Sequence, residues 1–277
     1  MSTSSILITG CSSGIGLDAA MTLHERGWRV FASCRSESDC EELCARGLES
    51  FELDYASSDS IHAAVDHVLQ RTNGKLDALF NNGAFAIPGR VEDLPRDALR
   101  SIFETNLFGQ FELINAVLPG MRQNNRGRII NNSSVLGFAA LAYRGAYTST
   151  KFAMEGLSDT LRLELNNTDI KIILIEPGPI GTKIRENSIP HFERWINWKD
   201  SPNRQAYEHQ LMPRLYTPSE KKDRFELPCS AVTDKLIHAL EHRNPKPRYY
   251  VTTPTYIFGT LKRCLNTRLL DKILLKY

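Results

Sequence analysis

Short apolar runs alternate along the chain with longer stretches in which apolar positions recur every three or four residues. The first pattern marks buried strands, and the second marks helices with one face turned inward. Ile6-Leu7-Ile8-Thr9 predicts a strand over 6–9 that ends at Gly10. Ile15, Ala19, Ala20 and Leu23 fall on one side of a helix over 14–26, with Gly27 as its stop. Further strands are predicted at 28–33, 48–53, 76–80, 128–132 and 170–175, and helices at 37–46, 58–71, 97–123 and 147–166. Pro119-Gly120 is a break signal inside the longest helix. The run Ile170-Lys171-Ile172-Ile173-Leu174-Ile175 is almost continuously apolar, as expected where helices cover both faces of a parallel sheet. This β-α-β alternation, with right-handed crossovers, predicts an α/β chain built on a doubly wound parallel sheet flanked by helices.

After Pro177-Gly178-Pro179 the regularity fades. Residues 182–225 are rich in proline, asparagine, charge and aromatics, Trp195 and Trp198 among them. So long an irregular stretch in a compact domain is expected to be a functional lid. Periodicity returns in a helix over 229–243, a strand over 248–251 and a helical tail over 255–277. No repeat or low-complexity segment divides the chain, so one domain is expected over all 277 residues.

Composition narrows the function classes. Hydrophobic residues make up 42% and charged residues 24%, the mix of a soluble globular protein. A net charge of +2 argues against a protein that coats nucleic acid. No apolar run approaches the roughly 18 residues of a membrane span. The first ten residues hold no basic region and only a short apolar run, so no secretory signal is expected. Six cysteines without framework spacing read as reduced thiols in a cytoplasmic protein. No metal site is expected: His191 and His209 lack ligand spacing, and the helical pair His238 and His242 lacks a third ligand. The tail 255–277 carries five basic residues and one acid, Asp271. Such a helix lies on a membrane surface or packs on its own core, and packing is the favoured reading.

Thr9-Gly10-Cys11-Ser12-Ser13-Gly14-Ile15-Gly16 joins the first strand to the first helix. Glycines there let the backbone turn sharply and approach a pyrophosphate, while the helix N-terminus points free N–H groups at the anion. In this context the turn is a dinucleotide-binding signature of a Rossmann-type sheet, with Gly10, Ser12, Ser13, Gly14, Ile15 and Gly16 as candidate contacts. Many NAD users place an acid at the end of the second strand, but here Cys34 and Arg35 stand there. A carboxylate accepts from a ribose 2′-OH, whereas a guanidinium pairs with a 2′-phosphate. Arg35 therefore favours NADP(H) over NAD(H). The competing reading is an exposed arginine at a helix entry.

The Gly-x3-Gly-x-Gly spacing resembles that of the short-chain dehydrogenase/reductase family. The resemblance covers roughly residues 5–182. It continues at Asp54, after the third strand, which it assigns to the adenine. Asn81-Asn82-Gly83-Ala84 stands where the family has Asn-Asn-Ala-Gly, with Asn82 the contact carried over. Tyr147-Thr148-Ser149-Thr150-Lys151 is a Tyr-x3-Lys that places phenol and ammonium on one helical face. Ser134 lies 147 − 134 = 13 residues earlier, in the turn Ser133-Ser134-Val135-Leu136-Gly137. Asn106 matches the fourth member of the family's catalytic set; alone it would read as a solvated helix residue. Pro177, Gly178 and Thr182 resemble the loop that holds the nicotinamide carboxamide. Tyr143 has no lysine four residues on, which leaves Tyr147 as the tyrosine of the pair.

The resemblance implies an NADP(H)-dependent oxidoreductase acting on a carbonyl/alcohol pair. Residues 1–182 would form the cofactor-binding and catalytic core, 183–227 a substrate lid and 228–277 carboxyl-terminal helices. Tyr147 would be the general acid/base. Its free pKa of about 10 is high for that role, and a nearby ammonium and an oxidised nicotinamide both favour phenolate. Ser134 would bond the substrate oxygen, and Asn106 would hold a water that links Lys151 to solvent. The aromatic lid suits an apolar aldehyde, ketone, or steroid- or retinoid-like molecule, and equally a helix that closes the core or a dimer surface. The alternatives are a 3-oxoacyl thioester reductase, which calls for a basic docking patch, and a non-catalytic NADP(H)-binding sensor or scaffold. A homodimer or homotetramer through the helices at 97–123 and 147–166 is also implied.

Overall fold

The computed structural model describes residues 3–217 and 223–276. Segment 218–222 of the expected lid, the first two residues and the last residue of the expected tail lie outside the described residues. Seven parallel strands form one sheet in the order β3-β2-β1-β4-β5-β6-β7. They are β1 Ser5–Thr9, β2 Arg29–Cys34, β3 Glu49–Glu52, β4 Ala78–Asn81, β5 Gly127–Asn132, β6 Ile170–Glu176 and β7 Arg248–Tyr250. Strand order reverses between β1 and β4, which opens a crevice at the carboxyl ends of the strands.

Alternation along β1 builds two cores at once. Ile6 and Ile8 face one layer with Ala19 and Leu23 of α1 (Gly14–Glu25) and Val232 and Leu236 of α10 (Ser230–Glu241). Leu7 faces the other, with Val65 of α3 (Ser58–Arg71) and Leu113 and Val117 of α5 (Gly109–Gln123). The helices α2 (Glu37–Ala45) and α6 (Gly145–Glu164) complete the two layers.

Three segments depart from the elements that the periodicity predicts. The expected helix over 97–123 is α4 (Arg96–Phe103), a π-helical turn (Glu104–Phe108) and then α5. It does not break at Pro119, which sits inside α5. The stretch after Thr182 is not irregular. It forms α7 (Ile184–Trp195), a short α8 (Arg204–Ala206), a second π turn (Tyr207–Leu211) and α9 (Met212–Tyr216). These close over a third core with Phe85, Ile102, Phe192, Tyr207 and Leu215. The tail is two helices, α11 (Thr253–Cys264) and α12 (Thr267–Leu274), joined at Leu265 and Asn266, whose side chain caps α12 through Leu269 N–H. Pro254, Phe258 and Leu270 are buried, while Tyr256, Ile257, Leu269, Ile273 and Leu275 are exposed. Among the described residues no helix is long and apolar enough to cross a membrane.

Candidate active site

The crevice at the strand reversal is a cleft of about 1420 Å³. Its floor is the glycine turn. Gly10 and Gly14 have φ of +68° and +60°, a region that only glycine enters without strain. Gly16 serves a close approach: a Cβ there would lie 2.2 Å from the Gly10 carbonyl oxygen. Ser13 caps α1 without a side-chain bond among the described residues, which leaves first-turn N–H groups available to an anion. Gly10, Ser12, Ser13, Gly14 and Ile15 line the cleft, while Gly16 is buried behind them.

Asn82 holds this turn rather than only facing it. Its Nδ2 donates to the carbonyls of Thr9 and Gly10 at 3.0 and 3.3 Å, and its Oδ1 accepts from Asn132 Nδ2 at 2.9 Å. The exchanged Gly83 packs against the turn: a Cβ on Gly10 would meet Gly83 Cα at 2.7 Å, and a Cβ on Gly83 would lie 3.2 Å from the Tyr55 ring. Arg35 lines the cleft at the end of β2. Asp54 is exposed just after β3, its Oδ1 accepting from Ala56 N–H at 2.9 Å. It is its neighbours Leu53 and Tyr55 that line the cleft. Pro177, Gly178 and Thr182 also line the cleft, with Thr182 against Gly14.

Tyr147 stands in the first turn of α6, and Lys151 lies one turn further on. Lys151 is buried; its Nζ donates to the Asn132 carbonyl at 2.7 Å and lies 5.5 Å from the centre of the Tyr147 ring. Burial pushes the ammonium down to about 7, against the pull of Glu155. Burial raises the Tyr147 phenol, while the Arg144 charge and a hydrogen bond from Ser134 lower it. Ser134 has extended backbone, and its hydroxyl accepts from Leu136 N–H at 3.1 Å. Serine, phenol and ammonium therefore share one wall.

Asn106 is not a solvated helix residue. It sits fully buried in the π turn, a feature that often marks functional sites. Its side chain accepts from Phe85 N–H at 3.0 Å and donates to Phe85 C=O at 2.8 Å. It thus pins the loop that follows β4 along the cleft, and its Nδ2 faces the Thr150 hydroxyl of α6 at 3.5 Å.

Sequence reasoning missed three groups. Tyr55 hydroxyl bridges Thr9 and Asn81 under the glycine turn, at 2.7 Å to each. Arg248 binds Glu155, Asp159 and Glu176 behind Lys151. Burial and the Glu155 charge push the Glu176 carboxyl well above the usual carboxylate range, against the pull of Arg248. Arg144 lines the cleft three residues before Tyr147, and its helical spacing was the available signal. His238 and His242 stack at 4.7 Å, and no cluster suited to a metal ion occurs among the described residues.

A short chain dehydrogenase family model matches residues 4–192. An uncharacterized oxidoreductase, YbbO, of Escherichia coli K12 is 38% identical over 273 residues, covering 98% of this chain and 93% of the relative. The 17-beta-hydroxysteroid dehydrogenase type 6 of Rattus norvegicus is 33% identical, over 97% of this chain and 87% of that one. A solved short-chain dehydrogenase from Streptomyces avermitilis superposes with a TM-score of 0.75 at 26% identity, covering 95% and 93% of the two chains.

Proposed function

The chain belongs to the short-chain dehydrogenase family, and from that premise we propose that it is an NADP(H)-dependent oxidoreductase acting on a small carbonyl/alcohol pair. One observation carries this reading: the hydroxyl of Ser134, the phenol of Tyr147 and the ammonium of Lys151 line the same cleft as the glycine turn. The turn, the free N–H groups of α1 and Asn82 fit a dinucleotide, and Arg35 fits a 2′-phosphate. Asp54, exposed between the cleft-lining Leu53 and Tyr55, is proposed to face the adenine, and Pro177, Gly178 and Thr182 the carboxamide. When bound, the nicotinamide exchanges a hydride with the substrate carbon.

The chain's own residues handle the proton. In reduction Tyr147 gives its hydroxyl proton to the substrate oxygen, and in oxidation the phenolate takes it back. Ser134 donates to that oxygen as charge develops on it. Lys151 sits close enough to favour the phenolate while it holds its own proton. Asn106 fixes the Phe85 backbone at the entrance and is the proposed end of a water relay to Lys151.

Residues 183–227 act as the substrate lid, and Leu141, Ile184, Ile189 and Leu215 give the cleft an apolar wall. That wall suits an apolar aldehyde, ketone, or steroid- or retinoid-like body, in keeping with the hydroxysteroid dehydrogenase among the relatives. A thioester reductase calls for a free basic patch at the mouth. Arg185 and Arg214 lie there, but Asp223 ties both, at 2.6 and 3.4 Å. A pure sensor has no use for a full acid/base set. The exposed side chains of Phe108, Phe152, Leu157 and Leu163, on or beside α5 and α6, suit a homo-oligomeric interface. Six free thiols suit a reducing cytoplasm. The test is NADPH consumption over a panel of aldehydes, ketosteroids, retinal and 3-oxoacyl thioesters, with NADH in parallel.

A further inference from the structure

Arg144 is the N-cap residue of α6, directly after Tyr143, whose φ of +62° is strained for a tyrosine. Three contacts hold Tyr143 there. Its carbonyl accepts from Gly89 N–H at 3.0 Å, and its hydroxyl bonds the Ala206 carbonyl at 3.3 Å and Gln210 Oε1 at 3.0 Å. The bend places Arg144, half-buried, on the cleft wall.

The other arginines that are not exposed are all engaged. Arg29, Arg90, Arg162, Arg185 and Arg248 each hold a carboxylate, and Arg128 holds the carbonyls of Ala239 and His242. The Arg144 guanidinium has no hydrogen bond or ion pair among the described residues. Asp223, the carboxylate whose charge acts on it, is shared by Arg185 and Arg214. Glu226 takes the Asp223 N–H at 3.4 Å, and Glu186 is exposed. Crowding by burial and by the two other arginines weakens its hold on its proton, down to about 10. A desolvated cation among cations is costly unless an anion joins it.

We propose that the Arg144 guanidinium is an anion subsite of the cleft, and that the substrate is a carbonyl or alcohol whose short apolar body ends in a carboxylate. This rests on the cleft being a hydride-transfer site and narrows what enters it. Arg144 lines the same cleft as Tyr147, and its charge acts on the Tyr147 phenol, so the anion lies within a few carbons of the reacting oxygen. The phosphates of a coenzyme A thioester lie much farther from their carbonyl. A carboxylate also matches the planar fork of a guanidinium.

The test compares kcat/KM for a short ω-oxo carboxylic acid, its methyl ester and 3-oxobutanoyl coenzyme A, with NADPH, in the wild type, Arg144→Met and Arg144→Lys. A charge-assisted bond contributes about 1.5–3 kcal/mol, so the wild type should prefer acid over ester by about 10- to 100-fold. Arg144→Met should bring that ratio to about one, mainly through the KM of the acid, and Arg144→Lys should keep part of it. NADPH binding and thermal melting check that each variant folds. If Arg144→Met does not fold, the wild type alone still decides: saturated carboxylates of matching length should compete with the ester, and their primary amides should not. Equal turnover of acid and ester, an unchanged ratio in Arg144→Met, or a preference for the thioester overturns the assignment. An equal fall for both substrates in Arg144→Met would mean that Arg144 serves only the Tyr147 phenol. If esters are turned over without preference, the hydride-transfer reading stands alone; if no carbonyl compound is reduced, both fail.

Discussion

The Lys151 ammonium stands 5.5 Å from the centre of the Tyr147 ring, and its nearest polar partner is the Asn132 carbonyl at 2.7 Å. A cation buried this completely with one carbonyl partner loses hydration it does not recover, which is why its pKa falls from 10.5 to about 7. Its charge is thus held weakly near neutrality.

That has a stability consequence. Below pH 7 the folded and unfolded chains both hold the Lys151 proton, and the native state bears the whole cost of burying it. Between about 7 and 10.5 the unfolded chain binds more protons, so this contribution to stability rises with pH. Lys151→Met should therefore have its most favourable melting temperature relative to wild type at pH 6, and lose that advantage steadily toward pH 10. A difference independent of pH would show that Lys151 is not buried as charged ammonium.

Arg35→Ala tests the cofactor preference. Losing bonds to a phosphate costs about 1.5–3 kcal/mol, or about 10- to 100-fold in Kd for NADPH. NADH, which has no 2′-phosphate, should be little affected. Fluorescence titration of both cofactors reads this directly, and equal losses would remove Arg35 from that role.

Gly16→Ala should abolish cofactor binding and lower the melting temperature. The new Cβ would meet the Gly10 carbonyl oxygen at 2.2 Å and Asn82 Nδ2 at 2.7 Å, so the turn and the asparagine that holds it must both move. Isothermal titration with NADPH checks the outcome; retained binding would mean that the turn is not the phosphate cradle.

Asn106→Ala should cost both stability and activity. It strips the Phe85 N–H and C=O of their partners, and each buried group left unsatisfied costs about 1–3 kcal/mol. Asn106→Asp keeps an acceptor for Phe85 N–H but faces Phe85 C=O with charge, so urea unfolding should find it destabilised too.

The sheet was legible because its strands are short apolar runs whose alternate residues enter opposite layers, as Leu7 and Ile8 do. The glycine turn and the Tyr147–Lys151 pair were legible because each is local, set by a strand–helix junction or one helical turn. The lid was not. Phe192 and Tyr207 are fully buried, but by packing against Phe85 and Ile102, about a hundred positions earlier in the chain. The Tyr207 hydroxyl likewise depends on Asp93, to which it donates at 2.7 Å. The burial of Asn106 follows from a π turn, which shifts side-chain register in a way that helical periodicity does not announce. Arg248 meets Glu176 and Glu155 only once β6, β7 and α6 are assembled.

The most direct test of the account is the Tyr147→Phe variant, with NADPH binding and NADPH consumption measured on the same preparation against the best carbonyl substrate of the wild type. The account predicts binding close to that of the wild type and kcat lowered by at least about 10²- to 10⁴-fold, the usual contribution of a general acid. Undiminished turnover in Tyr147→Phe, with binding intact, would contradict it.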